Sequence, residues 1–138
     1  MDFISGLKIS ILSFLIWIIL FYVFSFVCYQ LGLDKQPKQV FDDLRNRIIS
    51  ILHGSFLFWF ASYNVLFLNP KYNDPNTDYQ EYVISVSMGY FIYDLIFCFY
   101  YKLSDLGLIV HHSMSIMGYF TILYAGFGGT EGICLVFQ

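Results

Sequence analysis

Between Lys8 and Asp34 the chain carries no charged side chain, and that stretch excludes most folds open to 138 residues. The 23 residues from Ile9 to Leu31, at about 1.5 Å rise each, reach roughly 35 Å, enough to cross a hydrocarbon core of about 30 Å with some tilt. A secretory signal has an apolar core of only about 7 to 15 residues, so this run reads as a retained anchor. Three more runs repeat the pattern, Ile48 to Leu68, Tyr82 to Tyr101 and Leu106 to Phe127. With 58% hydrophobic and 12% charged residues, against about a quarter charged in soluble domains, most of the chain has lipid as its solvent. The expected fold class is all-α: a polytopic transmembrane helix bundle of four spans, with the start of a fifth in the apolar run from Ile133 to Phe137. That run is too short to cross a bilayer, so the sequence is expected to be the N-terminal piece of a single membrane domain.

The connecting segments are polar. Gly32 to Arg47 reads as a loop in which Pro37 stops any continuing helix, while Asp42 and Asp43 suit the start of the next one. Lys71 to Glu81 reads as a second loop, bounded by the turn signal Asn69-Pro70. The tight connection Lys102 to Asp105 makes the third and fourth helices antiparallel neighbours. Gly126 to Gly132 reads as a flexible turn, with Glu131 a helix-start carboxylate. Lys35, Lys38, Arg45, Arg47 and Lys102 fall on one side of the bilayer, and Lys8 and Lys71 on the other. The positive-inside rule then places the first side in the cytosol and the N-terminus in the lumen or outside. A formal charge of −3 with no basic stripe excludes a nucleic-acid footprint. Cys28, Cys98 and Cys134 stand apart in apolar sequence and read as small buried hydrophobes, not as zinc ligands or a disulfide framework.

Ionisable groups inside the spans point to function. A mid-span aspartate costs about 2.5 to 3.5 kcal/mol on insertion scales, so Asp94 must face a cavity or a partner. Counted from the helix ends, His53, Asp94 and His111 lie roughly 7 to 11 Å from the same membrane surface and share one layer. His111 or His112 is the nearest candidate partner for Asp94. Adjacent residues point about 100° apart on a helix, so one histidine is expected to face the cavity and the other a neighbouring helix. A carboxylate bonded to one imidazole nitrogen fixes the tautomer and leaves the other nitrogen as base or nucleophile. Tyr90 lies on the Asp94 stripe and Ser115 one turn beyond the histidines, so both are read as supporting groups, with His53. No metal is expected, because the adjacent histidines offer no i, i+3 or i+4 ligand pair.

Four stretches in this order, Ile51-Leu52-His53-Gly54, Gly89 to Leu95, His111 to Gly118 and Gly129-Thr130-Glu131, resemble the TLC-domain family. They look most like the small subgroup typified by TLC domain-containing protein 5, over about residues 45 to 138. The resemblance implies a bundle of six or more helices around a lipid-accessible cavity, in the endoplasmic reticulum or a related membrane, with membrane lipids as partners. In ceramide synthases the paired histidines lie in the active site for acyl transfer from acyl-CoA to a sphingoid amine, and they correspond to His111 and His112.

The expected function is therefore lipid binding or lipid metabolism that influences membrane composition. Its enzymatic version is acyl transfer, with acyl-CoA as substrate and no cofactor. There a histidine attacks the thioester or deprotonates an amine or hydroxyl nucleophile, and Asp94 orients it. A non-catalytic scaffold would instead use Asp94 and the histidines as an interhelical clamp, at roughly 0.6 to 2 kcal/mol per bond. An ion or proton path through Asp94 and His53 is the weaker third reading, since the spans are bulky and aromatic.

Overall fold

The computed structural model describes residues 1–68, 74–103 and 105–134. Five helices follow in order: α1 (Phe3–Gln30), α2 (Lys38–Phe67), α3 (Asp78–Tyr101), α4 (Leu106–Ala125) and the short α5 (Gly129–Cys134). A 3-10 turn, Leu33–Lys35, joins the first two. The described residues contain no strand, only one isolated bridge between Pro75 and Phe127. Helices α1 to α4 are each long and apolar enough to cross a membrane, as an all-α polytopic bundle requires.

Polar helix ends account for most of the differences from the expected spans. At the start of α1, Asp2 accepts the Ser5 backbone N–H at 2.7 Å and the Ser5 hydroxyl at 3.1 Å. The cap starts the helix at Phe3 rather than Ile9, and the Ser5 bonds, the backbone one above all, hold the Asp2 carboxyl below its ordinary range.

The largest correction concerns the expected loop Gly32 to Arg47. Gly32 does turn the chain in a left-handed conformation, φ 71°, but α2 begins at Lys38 with Pro37 as its N-cap, ten residues before Ile48. Low hydropathy hid a helix held by side-chain pairs. Asp42 bonds Arg45 three residues on, and Asp43 meets Arg47 at 2.6 Å four residues on. Arg45 also stacks over the rings of Phe21, Phe41 and Tyr101 at 4.6–5.1 Å. At 30 residues and about 1.5 Å each, α2 is roughly 45 Å long, so it overreaches the hydrocarbon core.

Helix α3 likewise takes the last residues of the expected second loop. Its capping box pairs Thr77 with Gln80: the threonine side chain accepts the Gln80 N–H, and the Gln80 side chain accepts the Thr77 N–H. At the other end, α4 stops at Ala125 on Gly126, φ 73°. The glycine-rich stretch is not simply a flexible turn, because Gly129–Cys134 form α5 with Glu131 in its first turn. Asn76 ties these ends together. Its amide donates to the Ile122 carbonyl at 3.1 Å, and its side-chain oxygen accepts the Gly129 N–H at 2.7 Å. The signal Asn69-Pro70, Lys71 and the run beyond Cys134 lie outside the described residues.

Helix α3 is the axis of the bundle. It packs against α1, α2, α4 and α5 and is the most buried of the long helices. Its closest neighbour is α1. Built onto Gly89, a Cβ would sit 2.7 Å from Ser13 Cβ and 2.8 Å from the Phe14 nitrogen, and closer still to the Ser10 carbonyl oxygen. Backbone atoms cannot rotate aside, so Gly89 lets the two helices touch main chain to main chain, as small residues do in membrane interfaces. Gly89→Ala is expected to destabilise near the upper end of the about 1–3 kcal/mol typical of overpacking, read as a drop in thermal midpoint in detergent.

Candidate functional site

Asp94 projects from the middle of α3, and only 3% of it is exposed. Three side chains surround its carboxylate. Oδ2 meets His112 Nε2 of α4 at 2.6 Å, and Oδ1 accepts the Asn46 amide of α2 at 2.7 Å, with the Cys98 thiol at 3.8 Å on the same oxygen. Asn46 is itself held by Tyr93, whose hydroxyl donates to its side-chain oxygen at 3.1 Å. One hydrogen-bonded chain thus runs from Tyr93 through Asn46, Asp94 and His112, joining α2, α3 and α4.

The second nitrogen of His112 settles the proton count. Nδ1 lies 3.0 Å from the Leu108 carbonyl, which can only accept, so Nδ1 carries a hydrogen. If Nε2 and Oδ2 both lacked a proton, two lone pairs would face each other at 2.6 Å. One proton therefore lies between them, and on either atom the pair sums to zero charge. A net-neutral pair is the form a membrane interior tolerates. This corrects the expectation that the carboxylate leaves a histidine nitrogen free: in His112 both nitrogens are engaged.

His111 takes the other direction. It is exposed, its ring touches those of Phe91 at 5.9 Å and His112 at 5.4 Å, and no described residue hydrogen-bonds to its imidazole. Its carbonyl accepts the Ser115 hydroxyl at 2.9 Å, so Ser115 satisfies its own helix and presents no free donor. His53 lies nearly flat on Tyr90, centroids 3.8 Å apart and planes 12° apart, with Trp17 edge-on at 5.7 Å, and the His53 Nε2 is buried with no hydrogen-bond partner among the described residues. Tyr90 donates to Ser50 at 3.0 Å, and Ser50 to the Asn46 carbonyl at 3.1 Å.

All six residues singled out from sequence, Asp94, His111, His112, His53, Ser115 and Tyr90, line one cavity of about 780 Å³. It exists because α2 and α4 do not pack on each other; α3 forms its back, and α5 packs against α2, α3 and α4. The walls beyond the histidines are apolar, with Leu57, Phe91, Tyr119 and Ile122, and they are widened by Gly54 on α2 and Gly118 on α4. A Cβ at either glycine would meet nothing within 4 Å. From His111 to Ile122 the wall is twelve residues, eleven steps of helix or roughly 16 Å.

Sequence reasoning missed Asn46, which it placed in the first loop. The available signal was its spacing, four residues before Ser50 and seven before His53, which puts all three on one helical face once the helix is extended back to Lys38. Tyr93 was overlooked for another reason. It is wholly buried and adjoins Asp94, off the stripe that drew attention to Tyr90.

The fold and site define a polytopic helical membrane protein with a net-neutral Asp–His pair beside an apolar cavity. The TLC-domain family model matches residues 43–137, which takes in all but the first five residues of α2, all of α3 to α5 and every residue of the site, and the chain belongs to that family. No solved structure matches it.

Proposed function

We propose that this protein takes up a membrane lipid in the cavity between α2 and α4 and acts in lipid metabolism or membrane lipid composition. In this reading it stands with the subgroup typified by TLC domain-containing protein 5, in the endoplasmic reticulum or a related membrane, with its N-terminus lumenal. The observation that carries the proposal is the cavity itself, an apolar slot of about 780 Å³ with an unengaged imidazole, His111, at its polar end. Pockets of this size with few convergent polar groups are typical of small-molecule sites.

The enzymatic form is acyl transfer from acyl-CoA. His111 removes the proton from a lipid hydroxyl or amine as that group attacks the thioester carbon; the C–S bond breaks, and the leaving thiolate takes the proton to become free CoA thiol. His112 and Asp94 hold the neighbouring backbone in place, and the proton shared between them shifts in response to the charge that develops on the adjacent His111 ring as it takes up the substrate proton. The test is acyl transfer in proteoliposomes together with lipidomics of expressing cells. His111→Ala is expected to abolish turnover with thermal stability intact, since its ring makes no hydrogen bond in the fold. His112→Ala is expected to lose both. Unchanged lipids and transfer in His111→Ala would remove the catalytic claim.

The engagement of both His112 nitrogens favours a second reading, in which the pair serves only as a clamp in a non-catalytic scaffold. That reading expects His111→Ala to be silent in every assay.

A further inference from the structure

At the end of the bundle where α2 starts and α3 stops, a separate cleft of about 580 Å³ is lined by Lys38 and Gln39 of α2, and by Tyr100, Tyr101 and the cap residue Lys102 at the end of α3. We propose that this cleft binds the phosphate of an anionic phospholipid headgroup, with Lys38 and Lys102 as its two cationic arms.

Charge is the first argument. The carboxylate in the cleft wall, Asp42, is bonded to Arg45, and the nearby Asp43 to Arg47, so both local acids are already paired with arginines. Among the described residues neither Lys38 nor Lys102 has an ion-pair partner. Two lysines therefore border one cavity whose own carboxylate is already paired, while Asp105, three residues beyond Lys102, caps α4 through the Leu108 N–H. Their level is the second argument. Lys38 lies eight residues from Asn46 along α2, and Lys102 eight from Asp94 along α3, while Asn46 and Asp94 bond directly. Both lysines thus stand about 12 Å beyond that bond in the same direction. Helix α3, 24 residues and roughly 36 Å long, stops at this level, which places the cleft in the headgroup layer rather than the hydrocarbon.

The backbone supplies the third argument. Lys102 has φ 58°, the only positive value outside glycine among the described residues. A left-handed helix cap is ordinarily a glycine or asparagine position, and any other residue there is held in a conformation costing about 1–2 kcal/mol. The strain sits at a residue that lines the cleft.

The test is native mass spectrometry of the full chain released from micelles, titrated with phosphatidylglycerol and with phosphatidylcholine of identical acyl chains. The wild type is expected to prefer phosphatidylglycerol more than twentyfold. Lys38→Gln and Lys102→Gln should each reduce the preference about fivefold and together bring it to parity, while Lys8→Gln leaves it unchanged. No preference in the wild type overturns the proposal. So does an equal loss in Lys8→Gln, which would mark a bulk charge effect, or displacement of the lipid by low-millimolar inorganic phosphate, which would mark a soluble anion as the ligand.

Discussion

Asp94→Leu should cost about 2–5 kcal/mol, whereas Asp94→Asn should leave the bundle folded and remove its chemistry. Leucine leaves His112 Nε2 without a partner, at about 1–3 kcal/mol for a buried orphan, and leaves the Asn46 amide only the weak Cys98 sulfur acceptor at 3.4 Å. Asparagine can satisfy both. Its oxygen accepts from Asn46, its amide donates to the Nε2 lone pair, and His112 keeps its Nδ1 hydrogen on the Leu108 carbonyl. What asparagine cannot do is hold the proton that the 2.6 Å contact shares. Thermal unfolding in detergent beside a lipid or acyl-transfer assay separates the roles. A clamp predicts that Asp94→Asn is wild type in both, and a proton-handling site predicts normal stability with lost turnover. Equal destabilisation by both substitutions would contradict the proton count given above.

The second large effect is expected at the two open glycines. Gly54→Leu and Gly118→Leu place branched side chains into the slot from opposite walls, where nothing obstructs the new Cβ. Leucine is also a better helix former than glycine by somewhat under about 1 kcal/mol, so stability should hold or rise. If the slot receives an acyl chain, the double variant should retain at least tenfold less co-purifying lipid than the wild type, measured by extraction and mass spectrometry. Undiminished lipid at unchanged stability would show that the slot is not where lipid binds. This arrangement inverts Gly89, where even a methyl group is refused.

Four membrane helices were legible because lipid imposes a long, uncharged pattern that no soluble fold imitates. That His53, Asp94 and the histidine pair come together was legible too, although the count that put them at one depth took Arg47 as a helix end, and α2 begins nine residues earlier at Lys38. What escaped was of two kinds. The first turns of α2 looked like a loop because their stabilisation comes from Asp42–Arg45, Asp43–Arg47 and aromatic stacking rather than apolar periodicity, and Asn46 was lost with them. The choice between His111 and His112 depends on the rotation of α4 about its own axis. That rotation is fixed by contacts with α3 that leave no mark on local sequence.

The main-chain contact between α1 and α3 at Gly89 also bears on how the protein is made. The first helix docks against a partner 75 to 79 residues downstream, with a polar loop and another span between them. At roughly 5–20 residues per second, ribosomes deliver that partner several seconds after α1 has entered the bilayer. During that interval α1 and α2 wait as a loosely joined hairpin, with Ser10, Ser13 and Asn46 lacking the neighbours that α3 will bring. Until α3 has been made, the Ser13 hydroxyl lacks the Val86 carbonyl and the Asn46 amide lacks the Asp94 carboxylate, so the third helix completes what the first two begin.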